Sequence, residues 1–364
     1  MITENAPATR TPAPPSATPG PVSRAGRSWC PETGGSAAVF DRCRLRPGER
    51  PPQFVVISFD GAGVDDQGWF PVFRETARRT GAHLTFFLSG VYLLPAGRRE
   101  LYRPPGRPRG SSDIGFQRPG RIEEQAAELT AAYRAGHEIG THFNGHFCGA
   151  TGVKSWSAAD WRSEIEQFYS MVENWRANSG HTGRPDLPFR IRDVVKGGRT
   201  PCLEGDREAM FKAFRAYGWR YDASGTGRVN WPRRRAGLWQ YPLPSITVPS
   251  TGKSVLGMDY NFFAVHSGAR TGQPHLWNRW ERQTTQAYLH AVEHARRTDR
   301  APVFIGNHFE SWNGGIYMRA LITLMERACV REGVKCVSFE QLTDWLEAQS
   351  PQTLARLNGR PEDR

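Results

Sequence analysis

Residues 136–147, GHEIGTHFNGHF, decide how this chain is read. His142 and His146 stand four residues apart, a spacing at which two imidazoles share one side of a helical turn and converge on one divalent ion. The residues before them, 137–141, read as a short buried strand following a helix at 122–135. The histidine pair therefore falls at the carboxyl end of a strand, where open α/β sheets and barrels place their chemistry. His137 precedes the strand instead of ending it, and reads as structural.

Working outward, residues 54–60, FVVISFD, form an apolar run closed by an aspartate. An unbroken run of this kind marks a parallel strand buried on both faces. A loop with Asp65 and Asp66 follows, then a helix over 69–80, a strand over 83–89 and a Pro/Gly/Arg-rich surface excursion over 95–120. Ser157 with Asp160 three residues on predicts a capped helix over 157–178. Residues 193–199 lead into the tight GGRTPC turn. A helix is expected over 206–217, with strands over 219–222, 237–242 and 258–265. A long helix follows over 279–297. PVFIGN at 302–307 is a further buried strand, ending at His308. A helix over 317–332, a strand over 334–338 and a helix over 339–348 complete the pattern. Alternation of strand and helix means a parallel sheet or barrel. Neither an internal repeat nor a second domain boundary is visible. The expected organisation is an N-terminal linker over 1–50, one barrel domain over 51–348 and a C-terminal tail over 349–364. Residues 1–28 are rich in Pro, Ala, Thr, Ser and Gly and carry no apolar core of a signal peptide.

Composition sets further bounds. The chain has 364 residues, of which 38% are hydrophobic, enough for a large core; the 12 tryptophans suit an aromatic cleft for sugar rings. Among them Trp231, Trp239 and Trp312 are the candidates for lining it. The formal net charge is +12, but the arginines are scattered and form no stripe at helical spacing. A nucleic-acid partner is therefore not expected, and no stretch is long and apolar enough to span a membrane. The six cysteines contain no CxxC pair, which excludes a zinc ribbon. Their even number fits disulfides, with Cys30–Cys43 and Cys329–Cys336 close in sequence and Cys148 and Cys202 each directly following a candidate site motif. Disulfides imply an extracytoplasmic or secreted protein.

The strand ends carry Asp60, the pair His142 and His146, Arg199, Asp222 and His308. Together they offer a base, a metal pair, a cation and a second His–Asp pair, an inventory suited to metal-assisted hydrolysis.

In order along the chain, these motifs resemble the polysaccharide deacetylase family with the NodB homology domain, carbohydrate esterase family 4, in its chitin deacetylase-like branch. SFDGA at 58–62 resembles the family's TFDDG or TFDDA. THFNGH at 141–146 resembles its H-S/T-x-x-H metal motif, and GGRTPCLEG at 197–205 its R-x-P-Y or R-x-P-F motif. YDAS at 221–224 with GLWQYPLPS at 237–245, and APVFIGNHFESW at 301–312, resemble the later motifs. The resemblance spans roughly residues 52–348. It implies a distorted (β/α)7 barrel that hydrolytically removes N-acetyl groups from a peptidoglycan- or chitin-like polymer. It further implies Asp60 as general base, His142 and His146 as ligands of a divalent metal, commonly zinc, and Arg199 as the residue that holds Asp60. His308 would be the general acid oriented by Asp222, and the backbone N–H of Cys202 would stabilise the oxyanion. Two positions depart from the pattern. Gly61 replaces the family's second aspartate, its third metal ligand; Asp65, Asp66 or water would then fill the place, or the metal is lost. Cys202 replaces an aromatic residue. The alternative reading is a non-catalytic carbohydrate-binding protein that has lost its metal.

Overall fold

A computed structural model describes residues 44–359. The expected linker at 1–28 and the Cys30–Cys43 pairing lie outside these residues.

The elements that position the site are β1 (Gln53–Gly61), α1 (Trp69–Thr80), β2 (Thr85–Leu88), α2 (Pro119–Arg134), β3 (Glu138–Thr141) and α3 (Ala158–Glu173). They continue with β4 (Gly197–Gly198), α4 (Arg207–Ala216), β5 (Tyr221–Asp222), β6 (Leu238–Gln240), α5 (Asp259–Ser267) and α6 (Trp277–Arg297). The last are β7 (Val303–Asn307), α7 (Trp312–Leu324), β8 (Val334–Cys336) and α8 (Phe339–Ala348). Strands run in the order β7-β1-β2-β3-β4-β5-β6, all parallel, with β8 also pairing β1. Arg233–Arg235 adds an antiparallel edge to β6. A small sheet of Thr226–Gly227, Leu243–Thr247 and Ser254–Leu256, with a bridge between Met258 and Gly306, lies between the two ends of the row. The seven parallel strands curl into the distorted NodB-type barrel that the motif order implied.

β1 is buried at all nine positions, so its alternate residues face two different cores. Phe54 and Val56 join Phe87, Tyr221, Trp239, Phe304 and Phe339 inside the barrel, whose interior is packed by α8. Val55, Ile57 and Phe59 join Phe70, Phe73, Phe86 and Leu129 in the layer beneath the outer helices. The register makes this parity continuous around the barrel. Gly61, Leu88, Thr141, Gly198, Asp222 and Gln240 are successive cross-strand partners on one level. Residues one step from that level, such as Phe87, Tyr221 and Trp239, point inward.

Local chemistry explains the boundaries. Ser157 and Asp160 form the expected capping box of α3. α1 stops at Gly81, whose φ of 68° closes the helix without a Cβ penalty. The expected strand over 258–265 is helical instead: Asp259, Phe262 and Phe263, spaced i, i+3, i+4, are buried in α5 while Tyr260 and Val265 face outward. Its aromatic, β-prone composition pointed to a strand, and burial on one helical face outweighs that preference. Residues 351–357, expected as tail, form a helix that packs Leu354 and Leu357 against the inner core.

Candidate active site

Asp60 lies one step before the common level, and His142 and Arg199 one step after it, so all three point into the mouth of the barrel. Phe59 pairs with Asn307, which brings His308 level with Asp60. A cavity of about 880 Å³ opens there, lined by Asp60, Gly61, His142, His146, Cys202 and His308 among others.

Arg199 is fully buried. Its Nη1 donates to Asp60 Oδ1 at 2.8 Å and to Ser58 Oγ at 2.8 Å, its Nε donates to the Ala223 carbonyl at 3.0 Å, and its guanidinium lies 5.0 Å above the Phe87 ring. Burial alone would raise the Asp60 carboxyl, but the charges of Arg199 and His308 outweigh it and hold the group below its ordinary value.

His142 Nδ1 donates to the Arg199 carbonyl at 2.8 Å, which leaves Nε2 with a lone pair. A backbone acceptor on the far nitrogen is the usual support of a metal-ligating imidazole. The His146 ring centroid lies 5.1 Å away. The pair does not sit on a helical turn as its spacing suggested. Residues 142–147 form a loop with Phe143 and His146 at positive φ, 62° and 57°. That loop is held from below: Glu164 of α3 accepts from the Asn144 amide and from Tyr102, whose hydroxyl in turn accepts from the Gly145 amide. Burial pushes the Glu164 carboxyl up to about 7. Burial pushes His142 down to about 3 and lowers His146, so both imidazoles are neutral.

His308 is held by Asp259, not by Asp222. Its Nδ1 donates to Asp259 Oδ1 at 2.8 Å, and its backbone amide donates to Oδ2 at 2.7 Å. Burial opposes the charged ring, yet the Asp259 carboxylate raises it to about 9. Asp222 lies on the common level itself, so it points out of the barrel, opposite to Asp60. There it pairs with Arg207 of α4 at 3.3 Å and accepts from the Ser224 amide at 3.0 Å. It reaches the site only indirectly, through the loop whose Ala223 carbonyl receives Arg199. Asp259 falls in a segment whose composition predicts a strand; the helical spacing of Asp259, Phe262 and Phe263 is the signal in the sequence that points to it.

The other candidates separate as follows. Asp65 holds the turn that leads into α1, accepting from the amides of Gln67 and Trp69, and Asp66 pairs with Arg121. Neither carboxylate is free to stand in for Gly61. Cys148 and Cys202 form a disulfide with Cα atoms 5.9 Å apart, tying the histidine loop to the arginine loop; Cys329 and Cys336 form a second. The Cys148 and Cys202 sulfurs cluster with His146, but bonded to each other they are not thiolate ligands. Trp312 lines the cavity, stacked on Phe263 at 5.0 Å and 4°, whereas Trp231 and Trp239 are buried in the inner core. Two imidazoles that line the cavity, with a carboxylate beside them, fit a divalent metal, with one protein ligand fewer than a usual catalytic zinc site.

No protein-family model and no curated protein matches the sequence. Among solved structures, a protein of Mycobacterium smegmatis named for polysaccharide deacetylases aligns over 88% of this chain and 97% of its own, with a TM-score of 0.53 and 15% identity. A family 4 carbohydrate esterase from Streptomyces lividans, solved with acetate, aligns over 78% and 91%, with a TM-score of 0.39 and 12% identity. A Bacillus anthracis pseudoenzyme of the same family aligns over 85% and 72%, with a TM-score of 0.42 and 13% identity. The chain has the fold of the polysaccharide deacetylases. No helix among the described residues is long and apolar enough to cross a membrane.

Proposed function

We propose that this protein is a metal-dependent hydrolase that removes N-acetyl groups from an amino-sugar polymer of peptidoglycan or chitin type. One observation carries the reading. Across a single cavity, a buried carboxylate paired with Arg199 and held ionised faces a partly buried imidazole paired with Asp259 and held protonated. Titratable groups whose surroundings drive them in opposite directions are the mark of an acid–base pair.

Each residue then has a task. Asp60 accepts a proton from the attacking water, and Arg199 keeps it ionised and aimed. His308 donates a proton to the departing amine, and Asp259 fixes its Nδ1–H so that Nε2 faces the cavity. The Cys202 backbone N–H is the candidate donor to the developing oxyanion. His142 and His146 would hold the metal, zinc being the best match to two imidazoles. When bound, the ion would supply Lewis acidity that polarises an acyl oxygen and acidifies water. Trp312 offers a fixed aromatic face to the sugar. The disulfides support an extracytoplasmic location.

The test is acetate release from N-acetylated chito-oligomers and peptidoglycan fragments with added zinc. The expected result is metal-dependent release that drops about a hundredfold or more in Asp60→Asn, as for a lost general base. Sugar binding without acetate release would favour the non-catalytic reading, for which Gly61 is the specific argument.

A further inference from the structure

Gly61 stands where the resemblance calls for a third ligand, and a neighbouring side chain fills that space. A Cβ built on Gly61 would lie 3.5 Å from Tyr92 Cε2, 3.6 Å from the Tyr92 hydroxyl and 4.0 Å from Ser89 Oγ. A Cβ built on Gly63 would lie 2.8 Å from the same ring, closer than side chains approach. Both glycines of the SFDGAG stretch therefore make room for one phenol. Tyr92 comes from the single turn Gly90–Leu93 that follows β2, and it lines the cavity with His142 and His146. Ser89 lines the same cavity, is fully buried, and its hydroxyl has no partner among the described residues. A buried hydroxyl left unpaired is costly and calls for a ligand.

We propose that the Tyr92 phenol oxygen takes the third metal-ligand position in place of the absent carboxylate, with Ser89 Oγ hydrogen-bonded to it in the loaded protein. The inference rests on the reading that His142 and His146 hold a divalent metal. Asp65 and Asp66 are engaged elsewhere, so neither competes for the place. Ligands bind metals in their deprotonated form. Metal uptake therefore releases the phenol proton to solvent and restores the negative charge that glycine withdrew. A site of two imidazoles and one phenolate selects zinc or copper over magnesium or calcium.

Calorimetric titration of the metal-free protein with zinc tests this, alongside the visible spectrum of the copper(II)-loaded form. The expected result is zinc binding that weakens about tenfold or more in Tyr92→Phe, in the range seen when metal-site support is removed. A phenolate-to-copper charge-transfer band in the native protein should be lost in the same variant, with circular dichroism unchanged. Gly61→Asp alone should not tighten binding, because the new carboxylate must compete with the Tyr92 ring at a backbone φ of 78°. Gly61→Asp combined with Tyr92→Ala should. Equal zinc affinity in Tyr92→Phe, no charge-transfer band in the native protein, or no zinc binding at all would overturn the proposal. The two readings fail separately. A Tyr92-dependent metal site without acetate release sinks only the deacetylase; acetate release with unchanged Tyr92→Phe affinity sinks only the ligand assignment.

Discussion

Replacing Asp259 by Asn separates the two carboxylates that could serve His308. Asp259 holds the ring at 2.8 Å with no exposure of its own side chain, while Asp222 is committed to Arg207. An imidazole held near 9 instead of its ordinary 6.5 has its charged form favoured by about 3 kcal/mol. A general acid works only while protonated, so activity should fall as pH rises through about 9. Asn still accepts one hydrogen bond but carries no charge, so the falling limb should move toward 6.5. At pH 8 the protonated fraction then drops from about nine-tenths to about three-hundredths, a loss of roughly thirtyfold, whereas at pH 6 the loss is under about twofold. The assay is the pH profile of kcat/KM for acetate release, for the native protein, Asp259→Asn and Asp222→Asn. The same linkage acts on stability: the gain from a charged His308 is complete below 6.5 and gone once pH passes about 9. A falling limb that moves in Asp222→Asn and stays in Asp259→Asn would refute the assignment.

Three more outcomes follow from the same geometry. Arg199→Met should destabilise by about 3–5 kcal/mol in chemical denaturation, because it strands Asp60 as a buried unpaired charge, and should move the acidic limb of activity to higher pH. Reduction or paired Ser replacement of Cys148–Cys202, which closes a separation of 54 residues, should cost about 4 kcal/mol by loop-closure entropy and raise KM for the polymer; an unchanged melting temperature would contradict this. Glu164, raised to about 7, stabilises the fold fully below its unfolded value and loses that contribution as pH rises through 7, a slope totalling about 3 kcal/mol. Glu164→Gln mimics the protonated form, so urea midpoints measured from pH 4.5 to 7.5 should lose that slope.

The architecture is legible in the sequence alone, and so are several of the residues that the cavity brings together. Apolar runs ending in Asp60, Thr141 and Asn307 are legible as buried parallel strands because a strand covered on both faces has no polar alternation to hide. Their terminal residues are legible as chemistry because a charge at a buried strand end requires a partner. The Ser157–Asp160 cap rests on a short-range rule that holds wherever the chain goes; the Cys148–Cys202 pairing, 54 residues apart, is suggested only by each cysteine directly following a site motif. The face that each strand-end residue presents depends on how the strands pair. Asp222 and Asp60 look equivalent as strand-end aspartates, yet pairing register puts Gly61 and Asp222 on one level and so turns the two carboxylates to opposite sides of the sheet. Asp259 reaches His308 across 49 residues only because α5 packs beside β7. Tyr92 meets Gly61 and Gly63 only because β2 lies against β1. Contacts of this kind depend on long-range register and packing, and local pattern carries no record of them.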